Sequence, residues 1–269
     1  MPQVRNITSE SYKATTVAIT AFCDCNKRFL KALLDLLLPS FCLACEKPLG
    51  PSPELLFCPE CLARLHCITS PLCPCCGRVY LKATGGDHHC GACLATPRHF
   101  SRARAIFLYE EPVKEVIHRF KYQGKTACLP TFARFARNLP HWAEFAEGES
   151  PDWIVPVPLH PTRLRERGFN QALLLARAFF PKDRRVTASL LIRSRPTEPQ
   201  TNFNGSARRT NLKNAFAAVK PHRLAGKKIL LIDDVFTTGT TVNECARVLK
   251  KAGAAEVRVL TLARVKEDY

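Results

Sequence analysis

The chain has 269 residues, enough for one large domain or two ordinary ones, and its 46% hydrophobic content excludes a collagen-like or disordered polymer. Forty Lys and Arg against 23 Asp and Glu give a formal charge of +17. If eight cysteine thiolates hold two Zn²⁺, about four charges are removed and the balance stays strongly basic at about +13, which suits nucleic acid, anionic membranes or phosphorylated metabolites.

The first twenty residues mix polar and charged side chains, and no apolar run reaches the ~18 residues of a membrane span. No secretory leader or transmembrane segment is expected, and the expected compartment is the cytoplasm. Residues 1–28 read as an extension, and residues 29–38, interrupted by Lys31 and Asp35, as a short apolar helix. Twelve of the fourteen cysteines lie before residue 94, which places a domain boundary near Thr96-Pro97-Arg98. The expected organisation is therefore 1–38 extension and helix, 39–98 cysteine-rich domain, and 99–269 a second domain.

Residues 39–98 lack the apolar material to fold unaided, and in a reducing compartment close-spaced cysteines mean metal. Cys42-x-x-Cys45 is followed after twelve residues by Cys58-x-x-Cys61, and Cys73-x-x-Cys76 after thirteen by Cys90-x-x-Cys93. Each Cys-x-x-Cys turn aims two sulfurs at one point, and two turns complete a tetrahedral Cys₄ site with no open position. Two structural Zn²⁺ sites are expected, as a duplicated module. Cys23, Cys25 and Cys67 have no matching partner and read as non-ligands. Cys75, His88 and His89 are possible substitutes, with the histidines read first as solvated loop residues.

From residue 103 strands and helices alternate, which argues for a parallel α/β sheet. Ala105–Tyr109, Trp153–Pro158, Lys228–Asp233 and Glu256–Ala263 read as strands. Val113–Phe120, Asn170–Phe180 and Val242–Ala252 read as helices, with Gly253 as a stop. The strand ending in Asp233-Asp234 runs through Val235-Phe236 into Thr237-Thr238-Gly239-Thr240-Thr241 at the start of a helix. Backbone N–H groups of Thr237–Thr241 can cradle a phosphate where the helix dipole favours an anion, and the two carboxylates can accept hydrogen bonds from a ribose diol beyond it. A plain Asp/Thr cap would explain one acid and one threonine, not two acids and four threonines around a glycine.

This segment resembles the phosphoribosyl pyrophosphate (PRPP) loop of type I phosphoribosyltransferases. Phe120-Lys121-Tyr122-Gln123-Gly124, Val155-Pro156-Val157-Pro158-Leu159-His160, Arg163–Gln171 (RLRERGFNQ), and Gln200 followed by Arg208–Phe216 narrow the resemblance to the competence protein F (ComF) family, over roughly residues 28–269. The resemblance implies a type I phosphoribosyltransferase fold, a parallel sheet flanked by helices, behind an N-terminal double zinc ribbon. It assigns ribose contacts to Asp233 and Asp234, 5′-phosphate contacts to Val235 and Thr237–Thr241, and pyrophosphate contacts to the loop Pro158–Gly168, with Arg163, Arg165 and Arg167 supplying charge. It also places a basic hood over residues 193–228, with Arg208 and Arg209 beside the reaction. That stretch carries nine cations against the single acid Glu198, which suits a pyrophosphate leaving group and equally a nucleic-acid backbone.

Three functions stay open on these residues. One is a PRPP-dependent glycosyltransferase that takes Mg²⁺ with its PRPP. The second is a single-stranded DNA-handling factor for natural competence and DNA uptake, working with other competence or DNA-processing proteins. The third is a nucleotide-sensing regulator. No glutamine-hydrolysing domain or base pocket is recognisable. Aromatics make up only 9% of the chain, and the hood holds just Phe203 and Phe216 for base stacking.

Overall fold

A computed structural model describes residues 39–51, 53–80, 85–140, 142, 145, 150–195 and 214–266. The apolar helix expected over 29–38, and Cys23, Cys25, Arg208, Arg209 and Lys213 of the sequence reading, lie outside the described residues. The chain divides into two units, Met1–Cys58 and Pro59–Tyr269.

In the first unit, Cys42 N–H donates to Lys47 O at 2.8 Å and Glu46 N–H to Cys42 O at 3.0 Å, which closes a tight turn with Glu46 at φ 58°. A single bridge between Phe41 and Pro48 flanks that turn.

The second unit repeats this knuckle. Cys73 N–H donates to Arg78 O and Gly77 N–H to Cys73 O, both at 2.8 Å, and a Leu72–Val79 bridge flanks the turn. Here glycine has a further reason. Gly77 has φ +71°, and a Cβ on it would stand 2.6 Å from Ala103 O, so any side chain would prise the knuckle from the strand beneath. Two short helices, α1 (Pro59–Ala63) and α2 (Gly91–Ala95), each begin one residue after a cysteine.

The rest of the second unit is an α/β domain. Strand β1 (Arg102–Leu108) leads to helices α3 (Val113–Gln123) and α4 (Cys128–Arg137), then β2 (Trp153–Pro156), α5 (Pro161–Arg167) and α6 (Gln171–Phe179). Strands β3 (Leu191–Arg193) and β4 (Phe216–Ala218), β5 (Lys228–Phe236), α7 (Thr240–Lys251) and β6 (Glu256–Arg264) follow. The main sheet has order β1-β6-β5-β2 and every pairing is parallel, while β3 and β4 form a separate antiparallel pair.

Residues Leu230 to Ile232 of β5 and Val259 to Leu260 of β6 are 0–1% exposed, as central strands covered on both faces must be. Each long helix buries one stripe: Val113, Val116, Ile117 and Phe120 on α3, and Val242, Cys245, Ala246 and Leu249 on α7. Ile229 and Leu231 share a core cluster with the α7 stripe. Alternation along the strand turns Leu230 and Ile232 to the opposite face.

The free edge of β1 is covered by the ribbon chain. Ile68 N–H donates to Ile106 O and Leu108 N–H to His66 O at 2.9 Å, and Ala103 N–H donates to Cys75 O at 2.7 Å. An unpaired edge is a template for aggregation, so this segment has a structural task besides metal binding. It also explains Cys67, which bridges to Phe107 and stands outside both cysteine clusters.

Two expectations are corrected. β5 runs on past Asp233 to Phe236, so Asp234 and Val235 also lie within the strand, which keeps register with Thr261 to Ala263 of β6. The stretch Pro158–Gly168 contains a helix, α5, capped by His160, whose Nδ1 accepts from Thr162 N–H at 3.3 Å, and opened by Pro161. Three cations of the basic stretch that lie among the described residues can be placed. Arg223 stacks on Trp153 at 4.4 Å, Lys227 pairs with Asp152 at 3.0 Å, and Lys228 opens β5, five residues or about 16 Å of strand before Asp233.

Candidate functional site

In the sheet, β5 is longer than its neighbour β2. β2 pairs with β5 only through Ile232, so Asp233 to Phe236 project past it, held by β6 alone. This step lies at the C-terminal ends of the parallel strands, the end at which open α/β sheets usually take ligands.

Past the end of β2, Asp234 N–H has no strand to bond, and it donates to Asp233 Oδ1 at 2.9 Å. The two carboxylates then face different surroundings. Asp234 Oδ2 accepts from Lys121 Nζ of α3 at 2.8 Å, with both side chains under 20% exposed. Asp233 lies near enough to Arg193 of β3 and Cys245 of α7 to interact with them electrostatically. Burial, and then the negative Asp234 alongside, push the Asp233 carboxyl up to about 7, against the pull of the Asp234 N–H, Lys121 and Arg193. Lys121 is desolvated, yet Asp234 and then Asp233 hold its ammonium above the usual lysine range.

The loop follows directly. Gly239 is the N-cap of α7 with φ 72° and ψ 6°. A Cβ there would stand 2.3 Å from Cζ of Phe236, so the ring fills the space a side chain would need and the position requires glycine. Thr238 and Thr240 share a hydrogen bond between hydroxyls at 2.7 Å, and Asn243 N–H donates to Gly239 O at 2.9 Å to start the helix. Thr237 is half-buried and Thr238 exposed. The N–H groups of the first turn of α7 therefore stand just past the end of the strand, a position suited to an anion.

Of the other expected site residues, Arg163 lies exposed on α5, paired with Glu166 at 3.2 Å. Arg167, at the end of the same helix, stacks over Tyr122 at 5.1 Å. Two contributors were not singled out from sequence. Lys121 stood in a motif quoted only for its resemblance, and Arg193 was one hood cation among nine. A lysine in the last turn of an amphipathic helix reads as a helix-dipole partner, and nothing local indicates that it reaches across to β5.

The cysteines form two clusters, Cys42/Cys45/Cys58/Cys61 and Cys73/Cys76/Cys90/Cys93, with all four sulfurs of each within 4.8 Å of one another. Tetrahedral Zn–S bonds of about 2.3 Å require sulfurs about 3.8 Å apart. Cys45–Cys58 and Cys76–Cys90 stand at 3.6 Å, far beyond a disulfide and close to the spacing around zinc. Burial opposes ionisation of Cys42 and Cys73, but backbone N–H groups of the knuckles outweigh it and hold both near a pKa of about 6. Burial pushes the Cys76 and Cys93 thiols the other way, so the fit to structural zinc rests on the four-sulfur geometry of each cluster. His88 is not part of either cluster: its ring stacks on Tyr80 at 4.1 Å and its Nδ1 meets Gly86 O.

A parallel sheet ending in an acid pair and a threonine–glycine cradle, behind duplicated cysteine knuckles, defines a phosphoribosyltransferase-type protein with a double zinc ribbon. Residues 176–269 match the phosphoribosyl transferase domain family and residues 33–94 the double zinc ribbon domain family. Competence protein F of Haemophilus influenzae is 33% identical over 77% of this chain and 96% of its own length. DNA utilization protein YhgH of Escherichia coli K12 is 33% identical over 85% and 99%, and competence protein ComFC of Streptococcus pneumoniae is 34% identical over 60% and 67%. The chain belongs to the competence protein F family.

Proposed function

We propose that the protein binds PRPP, or a related phosphoribosyl group, at Asp233–Thr241 and acts in DNA uptake, as the names of its relatives suggest. The observation that carries this reading is the left-handed Gly239 turn, packed on Phe236 at the N-terminus of α7, three residues past a strand that carries two part-buried acids. Thr237–Thr241 hold the 5′-phosphate with Val235 beneath them, Asp233 and Asp234 accept from the ribose hydroxyls, and Arg163 and Arg167 of α5 face the diphosphate with Arg208 and Arg209. In this reading the functional domains are 1–38, 39–98 and 99–269.

Turnover would need no covalent protein intermediate. The C1–O bond of Mg²⁺–PRPP breaks as pyrophosphate leaves, the ribosyl carbon takes oxocarbenium character, and an acceptor atom closes the new bond to C1. The arginines and Lys121 hold the departing charge. Before ligand enters, Lys121 occupies Asp234, so ribose hydroxyls compete with an ammonium for that carboxylate.

A second reading is a single-stranded DNA-binding protein that uses the same site for a phosphate-on-pentose end without turnover. The formal charge of +17 favours it.

Calorimetric titration with Mg²⁺–PRPP, beside an Asp233→Asn, Asp234→Asn variant, decides the first reading. Binding by the unaltered chain and not by the variant is expected. Heat from neither protein would overturn the phosphoribosyl site and shift the weight to the DNA-end reading.

A further inference from the structure

Arg264 ends β6 only 3% exposed, and a buried guanidinium must find partners or lose several kcal/mol. It finds them in the second cysteine cluster. Nη1 donates to Cys76 O at 2.7 Å, and Nη2 lies 3.9 Å from Cys76 Sγ. Four thiolates around Zn²⁺ carry a net charge of −2, so the buried cation stands beside an anionic centre. The flat of the same guanidinium lies 4.5 Å from the centroid of Phe236. That ring is the one that meets Gly239, and Phe100 packs on it edge-on at 6.2 Å.

The contacts form one unbroken line from a metal ligand to the loop: Cys76, Arg264, Phe236, Gly239. The knuckle at its far end cannot drift, because Ala103 N–H bonds Cys75 O and Arg104 Nη1 bonds Pro74 O at 3.1 Å.

We propose that Arg264 is a positioning residue that ties the shape of the phosphate loop Thr237–Thr241 to the metal held by Cys73, Cys76, Cys90 and Cys93. The inference rests on the phosphoribosyl reading for its purpose, though not for its mechanics. With zinc bound, the anionic centre orients Arg264, the guanidinium supports the Phe236 ring, and the ring holds Gly239 in its left-handed turn. Without zinc, the four sulfurs lose their common centre and Arg264 loses the anionic charge beside it. Coupling of this kind is reciprocal: whatever orders the loop must also tighten the metal site.

The test uses the full zinc-loaded chain with Arg264→Met, Arg264→Lys and Phe236→Leu. Amide hydrogen exchange of the peptide spanning Thr237–Thr241 reads the loop without any ligand, and zinc release to a chromogenic chelator reads the metal. In Arg264→Met both are expected to run roughly tenfold faster, the loss of one hydrogen bond to a charged group. Arg264→Lys should restore most of the zinc retention, because its ammonium can reach Cys76 O, and little of the loop protection, because it has no flat face for the ring. If Arg264→Met does not fold, Phe236→Leu breaks the same line at the ring and should loosen the loop while zinc stays bound. Loop exchange equal to the unaltered chain in every variant that folds would overturn the proposal. Titration with Mg²⁺–PRPP is scored separately. A chain that binds no PRPP but shows the coupled loosening loses the phosphoribosyl reading and keeps this one, and a chain that binds PRPP with a loop indifferent to Arg264 loses this one alone.

Discussion

Asp233 and Asp234 are adjacent in the chain and chemically alike, yet strand alternation sends them to different neighbours. Asp234 has a lysine at 2.8 Å, while Asp233 is part-buried, and desolvation with the neighbouring Asp234 charge pushes it up to about 7. The sign of the consequence is definite. A carboxyl whose folded pKa lies above its unfolded value of 3.8 holds its proton more tightly when folded, so stability is greatest at low pH and declines as pH rises toward 7. Asp233→Asn should therefore raise the melting temperature at pH 8 and leave it nearly unchanged at pH 4, as calorimetry at the two pH values would show. The same substitution should remove a rise in ribose 5-phosphate affinity between pH 6 and pH 8, where the unaltered site gains its carboxylate acceptor; an equal pH profile in both proteins would refute that role. Lys121→Met should cost on the order of 2–3 kcal/mol in chemical denaturation, because it strands a part-buried carboxylate.

At the scale of elements, the turn between β5 and α7 is set by two residues. Gly239→Ala adds a Cβ at φ 72°, which alone costs about 1–2 kcal/mol, and drives it into the Phe236 ring. The expected outcome is a chain that melts lower and no longer binds Mg²⁺–PRPP; retention of both would mean the ring yields freely. Helices α3, α6 and α7 were legible from their apolar period to within a few residues, whereas α4, which buries Thr131, Phe132, Ala133 and Ala136, was not read. Helix α5 was not, because its seven residues PTRLRER hold only one apolar side chain and are specified by His160 at the cap and Pro161 after it. The overrun of β5 past Asp233 was missed for a related reason. Two acids signal a strand end when only local propensity is weighed, while the ladder to Thr261–Arg264 of β6 carries the strand on.

For the whole molecule, the metal is expected to be folding energy. Structural zinc contributes on the order of 10–16 kcal/mol in small domains, so native protein should carry close to two zinc ions, and Cys58→Ser should lose fold before function; fewer than one zinc per chain by elemental analysis would sink this. If single-stranded DNA binds through the basic surface, its affinity should fall steeply with added salt, and a flat response in a filter or anisotropy titration would count against that contact. Among the described residues no helix is long and apolar enough to cross a membrane.

The sequence by itself determined the chemistry of this protein: eight cysteines at ligand spacing, an acid pair at the top of a buried strand, and a threonine–glycine run opening a helix. Those patterns are local, because a knuckle or a helix cap is built from residues within a few positions of one another. Only the tertiary structure decided which cations matter. Lys121 pairs with Asp234 from 113 residues away in the chain and Arg193 acts on Asp233 from 40 away, while Arg223, Lys227 and Lys228 of the basic stretch stand at the far end of β5. Charge along the chain gives composition, and where each charge stands is set by the direction and length of the strands that carry it.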